Sequence, residues 1–161
     1  MHRVVQFFGH LKARVGPDEE AAARRLVPEQ AWPLFLRMPT ADRRHALDVA
    51  GRLLAAGQAD PDLLAAAMLH DAAKGARMRL WHRVAGVLLQ ALAPRALVRL
   101  ASPDADSWRY PLHLYLHHAE LSAQAALQAG CTARAADFIR GIAAPADAQL
   151  AAALRHADDA S

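Results

Sequence analysis

Residues 60–75 read DPDLLAAAMLHDAAKG, and this segment limits the possible folds more than any other. Asp60-Pro61 is a cap followed by a first-turn proline, the usual opening of a helix. The pattern predicts a helix that reaches Ala73 before Gly75 stops it. Along it Leu63, Ala67, His70, Asp71 and Lys74 fall at i, i+4, i+7, i+8 and i+11, so three ionisable groups continue the buried stripe. A buried carboxylate and ammonium without partners are costly. A bound cation resolves that cost, and so does a simple Asp71–Lys74 ion pair.

The remainder of the chain has the same helical character. Alanine is about a quarter of the 161 residues, leucine is abundant, and the aromatic residues that favour strands are 6%. An all-α fold is expected. Further helices are predicted from Pro17 to about Val27, around Trp32–Leu36, and from Ala41 to Ala56 with Thr40 as N-cap. Others should span about Arg77–Leu92, Pro94–Ala101, Pro111–Ala129 (bent near His118), 133–142 behind a Thr132 cap, and 145–157. The length fits one domain, 1–161, without cross-links, and the single cysteine, Cys131, excludes an internal disulfide framework. No apolar run approaches the roughly 20 residues of a membrane span. The N-terminal stretch from His2 to Lys12, interrupted by Gln6, Gly9 and His10, reads as a short amphipathic helix rather than a secretory signal. A cytoplasmic protein is expected. Val4, Val5, Phe7, Phe8 and Leu11 would cover its own core or that of a neighbour, which leaves oligomerisation open.

In the predicted helix from Ala41, His45, Val49 and Leu53 share one stripe. A lone histidine there reads most simply as a core residue. His70-Asp71 adds an imidazole and a carboxylate about 100° apart at a helix end. Asp158, beside Asp159, closes the last helix after the apolar run 150–154.

The order His45, His70-Asp71 with Lys74-Gly75, and Ala157-Asp158 resembles the histidine–aspartate (HD) superfamily of metal-dependent phosphohydrolases. Residues 44–50 (RHALDVA) resemble its first-ligand helix, and 62–75 its signature segment. The resemblance covers about Thr40 to Asp159. It implies a compact multi-helix bundle with an HD-like core at about 40–159 and N-terminal helices, 1–39, packed on it. It also implies four metal ligands, His45, His70, Asp71 and Asp158, with Asp71 and Lys74 in the catalytic machinery and Lys74 holding phosphate or orienting water. Such a ligand set suits one divalent ion, Mn²⁺ first, with Fe²⁺, Mg²⁺, Co²⁺, Ni²⁺ and Zn²⁺ compatible. The segment His118-Ala119-Glu120-Leu121-Ser122-Ala123 resembles a second-metal segment of the family, but Ala119 and Ser122 replace its usual proline and glycine. The histidine pair expected after Arg140 is replaced by Gly141-Ile142. One tight metal is therefore expected, with at most a weak second one at His117 or His118.

After Lys74 comes a basic and aromatic cluster. In a helix, Arg79, His82 and Arg83 would share a face, and Trp81 would stack on a base. Lys74, Arg79, His82, Arg83, His117 and His118 are the expected substrate-binding residues. His113 and His117 have i, i+4 metal-ligand spacing, with Glu120 as the nearby third donor, although a partly exposed helix surface is the simpler account of them. The expected function is hydrolysis of a small nucleotide-like phosphomonoester or phosphodiester, the 2′,3′-cyclic class included. The alternative is a metal- or nucleotide-binding signalling module without efficient catalysis. A net charge of +3 suits a phosphorylated substrate, and nucleic acid is the less expected partner.

Overall fold

A computed structural model of the protein describes residues 15–75 and 77–161, so the expected N-terminal amphipathic segment lies outside the described residues. The fold is all-α. Its helices are α1 (Pro17–Ala23), α2 (Trp32–Arg37), α3 (Thr40–Ala55), α4 (Pro61–Leu69), α5 (Leu80–Leu92), α6 (Pro94–Leu100), α7 (Tyr110–Gln128), α8 (Ala133–Arg140) and α9 (Ala148–Asp159). Short 3₁₀ turns at 24–26, 29–31 and 145–147 connect them. Among the described residues no helix is long and apolar enough to cross a membrane.

The central element is α4. Every residue from Leu63 to Leu69 is buried, as expected of a helix that is apolar on all sides. It packs against α2, α3, α7, α8 and α9. The Asp60 carboxylate caps its start by accepting from the Asp62 and Leu63 amides, and Arg134 of α8 binds the same carboxylate. On α3, Ala46, Val49, Ala50 and Leu53 form the inward stripe at i, i+3, i+4 and i+7. Ala151, Leu154 and Ala157 do the same on α9. Because α3 and α9 both lie on α4, the end of α9, the middle of α3 and the end of α4 meet at one place.

Several boundaries differ from the sequence expectation. Pro39, not Thr40, occupies the N-cap of α3. The first helix gives way to a 3₁₀ turn after Ala23, and α8 ends at Arg140, short of the expected Ile142. The largest difference falls at α4, which ends at Leu69, so that residues 70–75 form successive turns and Gly75 takes φ +55°. His70, Asp71 and Lys74 therefore do not continue a helical stripe. The turn is instead pinned from α7, where the fully buried Ser122 hydroxyl accepts from the Ala73 amide at 3.0 Å.

The contact of α5 with α7 depends on a glycine. A Cβ at Gly86 would lie 2.5–2.8 Å from ring carbons of Tyr115, closer than real Cβ atoms approach. Gly86→Ala is expected to lower stability by about 1–3 kcal/mol despite the better helix propensity of alanine. Urea unfolding of the two proteins checks this; an unchanged or raised midpoint would refute the close contact.

Candidate metal centre

Three helices and one turn supply the centre of the site, and α7 adds His118 at its edge. His45 lies on the edge of the inward stripe of α3, His70 is the C-cap of α4, Asp158 sits in the last turn of α9, and Asp71 follows in the turn. Ligand atoms of His45, His70 and Asp158 lie within 4.8 Å of one another. His45 Nε2 is 2.8 Å from Asp158 Oδ1, and His70 Nε2 is 3.4 Å from the same oxygen.

The hydrogen bonds fix how these rings face the site. His70 Nδ1 is 3.0 Å from the Ala67 carbonyl oxygen, which accepts only, so Nδ1 carries a proton and donates it. Nε2 is then the nitrogen that faces the site, and this buried atom makes no hydrogen bond of good geometry. His118 on α7 repeats the device. Its Nδ1 donates to the Tyr115 carbonyl at 3.0 Å, and its Nε2 faces Asp71 Oδ1 at 3.9 Å. Asp71 Oδ1 is itself buried without a hydrogen-bond donor. Nε2 atoms of His70 and His118 thus face carboxylate oxygens, an arrangement that demands a proton or a cation between them.

Helix dipoles favour the same solution. The C-terminal ends of α4 and α9 both point at the cluster, and each carries a partial negative charge. Placing Asp158 and Asp159 in the last turn of α9 runs against the dipole unless positive charge is gathered nearby.

The ionisation of the cluster follows from its packing. Burial opposes the charged form of His70, but the negative charges of Asp71 and Asp158 outweigh it and raise its pKa above the ordinary value. Burial pushes Asp158 up, and the hydrogen bonds and charges of His45 and His70 overcome this and hold it well below the carboxylate range. For Asp71 the positive charges of His70 and Lys74 likewise outweigh burial and hold it far down. Burial, reinforced by the Lys74 charge, lowers the pKa of His118 and keeps it neutral near pH 7. Without a cation the cluster balances itself by protonating His70, so metal binding must displace a proton. The apparent Mn²⁺ affinity is expected to rise from pH 6 to pH 8, by up to about tenfold per pH unit for each proton displaced. Calorimetric titrations at the two pH values check this; a flat profile would contradict proton displacement.

The expected site residues divide sharply. His45, His70 and Asp158 converge. Asp71 reaches the edge of the cluster, with Oδ2 3.7 Å from His70 Nε2, but Lys74 Nζ binds that oxygen at 2.6 Å. The ion pair considered from the sequence is therefore present alongside the cation-compatible cluster. His118 belongs to the site, whereas His117 packs against His113 with ring centroids 4.5 Å apart. Glu120, the proposed third donor for that pair, is held by Arg140.

The shared face of Arg79, His82 and Arg83 does not form, because α5 starts at Leu80 and Arg79 is its N-cap. His82 accepts the Arg79 amide on Nδ1 at 3.0 Å. Arg83 points elsewhere and binds both oxygens of the buried Asp42, at 2.8 and 2.6 Å, which corrects its assignment as a substrate residue. Two residues with structural roles at or near the site were missed: Ser122, seen in the sequence only as a departure from a family pattern, and Asp42, whose first-turn position gave no sign of burial. No family model, curated protein or solved structure matches the chain. The site is therefore read from its geometry.

Proposed function

We propose that the chain is a metal-dependent phosphohydrolase of the histidine–aspartate type, working in the cytoplasm on a small nucleotide-like phosphomonoester or phosphodiester. The convergence of His45, His70 and Asp158 within 4.8 Å, with His70 Nε2 buried and unsatisfied, carries this reading. Two imidazoles and a carboxylate hold Mn²⁺ and the neighbouring first-row divalent ions, and Asp71 is close enough to join them if Lys74 releases one oxygen. A divalent ion held there supplies Lewis acidity toward a phosphoryl oxygen and toward water.

The chain's own residues supply the rest. Lys74 places a positive Nζ at the edge of the cluster, where it holds a phosphate oxygen or stays with Asp71. His118 presents the lone pair of a neutral Nε2 toward the site and accepts a proton there. Ser122 and the Ala67 carbonyl fix the turn and the His70 ring.

Turnover of bis(p-nitrophenyl) phosphate, p-nitrophenyl phosphate and a 2′,3′-cyclic nucleotide with added Mn²⁺ tests this. At least one is expected to be hydrolysed, with the activity abolished by EDTA and reduced at least about 100-fold by His118→Ala, the lower range for a positioned acid or base. The engagement of Asp71 by Lys74 favours a second reading, a metal-binding signalling module. Metal bound without turnover of any of these esters would select it.

A further inference from the structure

A second site lies where α5 begins, facing the 101–109 loop that leads into α7. Here a cleft of about 610 Å³ is lined by Arg77, Arg79, Trp81 and His82 on the chain before and within the first turn of α5, and by Asp106, Trp108 and Tyr110 across from them. That volume suits a small molecule.

The tryptophans set its chemistry. Trp32 is 9% exposed in the core, whereas Trp81 is 58% and Trp108 74% exposed, and both exposed indoles line this one cleft. Large aromatic faces left in solvent beside a cleft are platforms for a flat ring. The platform is braced before any ligand arrives. His82 packs on Trp81 with ring centroids 3.6 Å apart and is tied to the Arg79 backbone. Arg77 donates to the Ala105 carbonyl and lies over the Tyr110 ring at 5.8 Å, joining the two walls.

Charge selects among flat ligands. Arg79 has no carboxylate partner among the described residues, so its guanidinium fork is available to an anion. Asp106 offsets one of the two arginines, which leaves one net positive charge and suits a single phosphate better than a polyphosphate. A cationic aromatic ligand is disfavoured by both guanidinium groups.

We propose that this cleft binds a nucleoside monophosphate, with its base stacked on Trp81 and Trp108 and its phosphate on Arg79. The cleft shares none of the residues of the metal centre, so binding requires no metal and the proposal goes beyond the hydrolase reading.

The test is a titration of intrinsic tryptophan fluorescence with adenosine 5′-monophosphate in EDTA. Saturable quenching is expected, at least about tenfold weaker with adenosine, which lacks the charge-assisted phosphate contact. Trp108→Leu and Arg79→Gln should each weaken binding by about tenfold, while His70→Ala leaves it unchanged. Trp108 is so exposed that its replacement leaves the core intact, and Trp81 still reports. Absence of saturable quenching, equal binding of adenosine, or insensitivity to both cleft substitutions would overturn the proposal. Quenching that needs Mn²⁺ and disappears in His70→Ala would place the ligand at the metal centre instead. Affinity that climbs with the length of a single-stranded oligonucleotide would assign the cleft to nucleic acid, also against the proposal. Failure of the wild type to bind Mn²⁺ in a separate calorimetric titration would refute the metal centre while leaving this site standing.

Discussion

Replacing His70 with alanine is expected to weaken Mn²⁺ binding by more than about 100-fold while the helical fold persists. Even residues that only orient metal ligands cost about 10–100-fold when removed, and His70 stands among the ligands themselves. Its Nε2 lies within reach of Asp158 and Asp71 and has no other partner. Its Nδ1 is anchored to the Ala67 carbonyl, so the loss is of an oriented donor and not of a free side chain. The fold should survive because the core is built from α2, α3, α4, α8 and α9 around Phe35, Leu53, Leu63 and Met68, none of which His70 supports alone. Calorimetric Mn²⁺ titration with circular dichroism on the same samples separates the two effects. Wild-type affinity in His70→Ala would remove this residue from the site.

Arg83→Ala is expected to cost about 3 kcal/mol of stability. Asp42 is only 2% exposed, and both of its carboxylate oxygens accept from the single Arg83 Nη2. Truncating one partner of a buried pair leaves an uncompensated charge, at a typical cost of about 3–5 kcal/mol. The Arg83 side chain is 26% exposed, so the lower end of that range applies. The contrast lies in the double variant. Asp42→Leu with Arg83→Met removes both charges and should recover most of the loss, because buried pairs replaced together by apolar residues are often neutral. Thermal or urea unfolding of the two variants decides it. A double variant as unstable as Arg83→Ala would mean that the loss comes from packing at Arg83 and not from the stranded Asp42 charge.

Much of the fold could be read from local chemistry. The Asp60-Pro61 cap, the Thr132 cap and Gly57 with positive φ stand where their sequence signals put them, whereas Gly141, also at positive φ, ends α8 inside the span expected to be helical. The end of α4 was not legible, because alanines 72 and 73 favour helix as strongly as those before His70. What stops the helix is tertiary: Ser122 takes the Ala73 amide. Propensity carries no information about a hydroxyl from 49 residues away. The start of α5 was misjudged for a similar reason, since Arg77 is spent bridging to the Ala105 carbonyl and Tyr110.

The site divides along the same line. His45 and Asp158 were picked out through the resemblance to the histidine–aspartate superfamily, since a lone histidine on an apolar stripe reads most simply as core, and the two helices that carry them meet on α4. The fate of Arg83 depended on which helix lay opposite, and Asp42 showed no pattern until α5 was packed against it. His117 and His118, adjacent in sequence, point to different surroundings, which only the rotation of α7 decides.

Equilibrium dialysis of the purified chain against Mn²⁺ measures most directly whether His45, His70 and Asp158 hold a cation together. One ion per chain is predicted for the wild type, and none above background when the three residues are replaced by alanine in a protein that keeps its helical circular dichroism. A wild type that retains no ion, or a triple variant that retains as much as the wild type, would contradict the account.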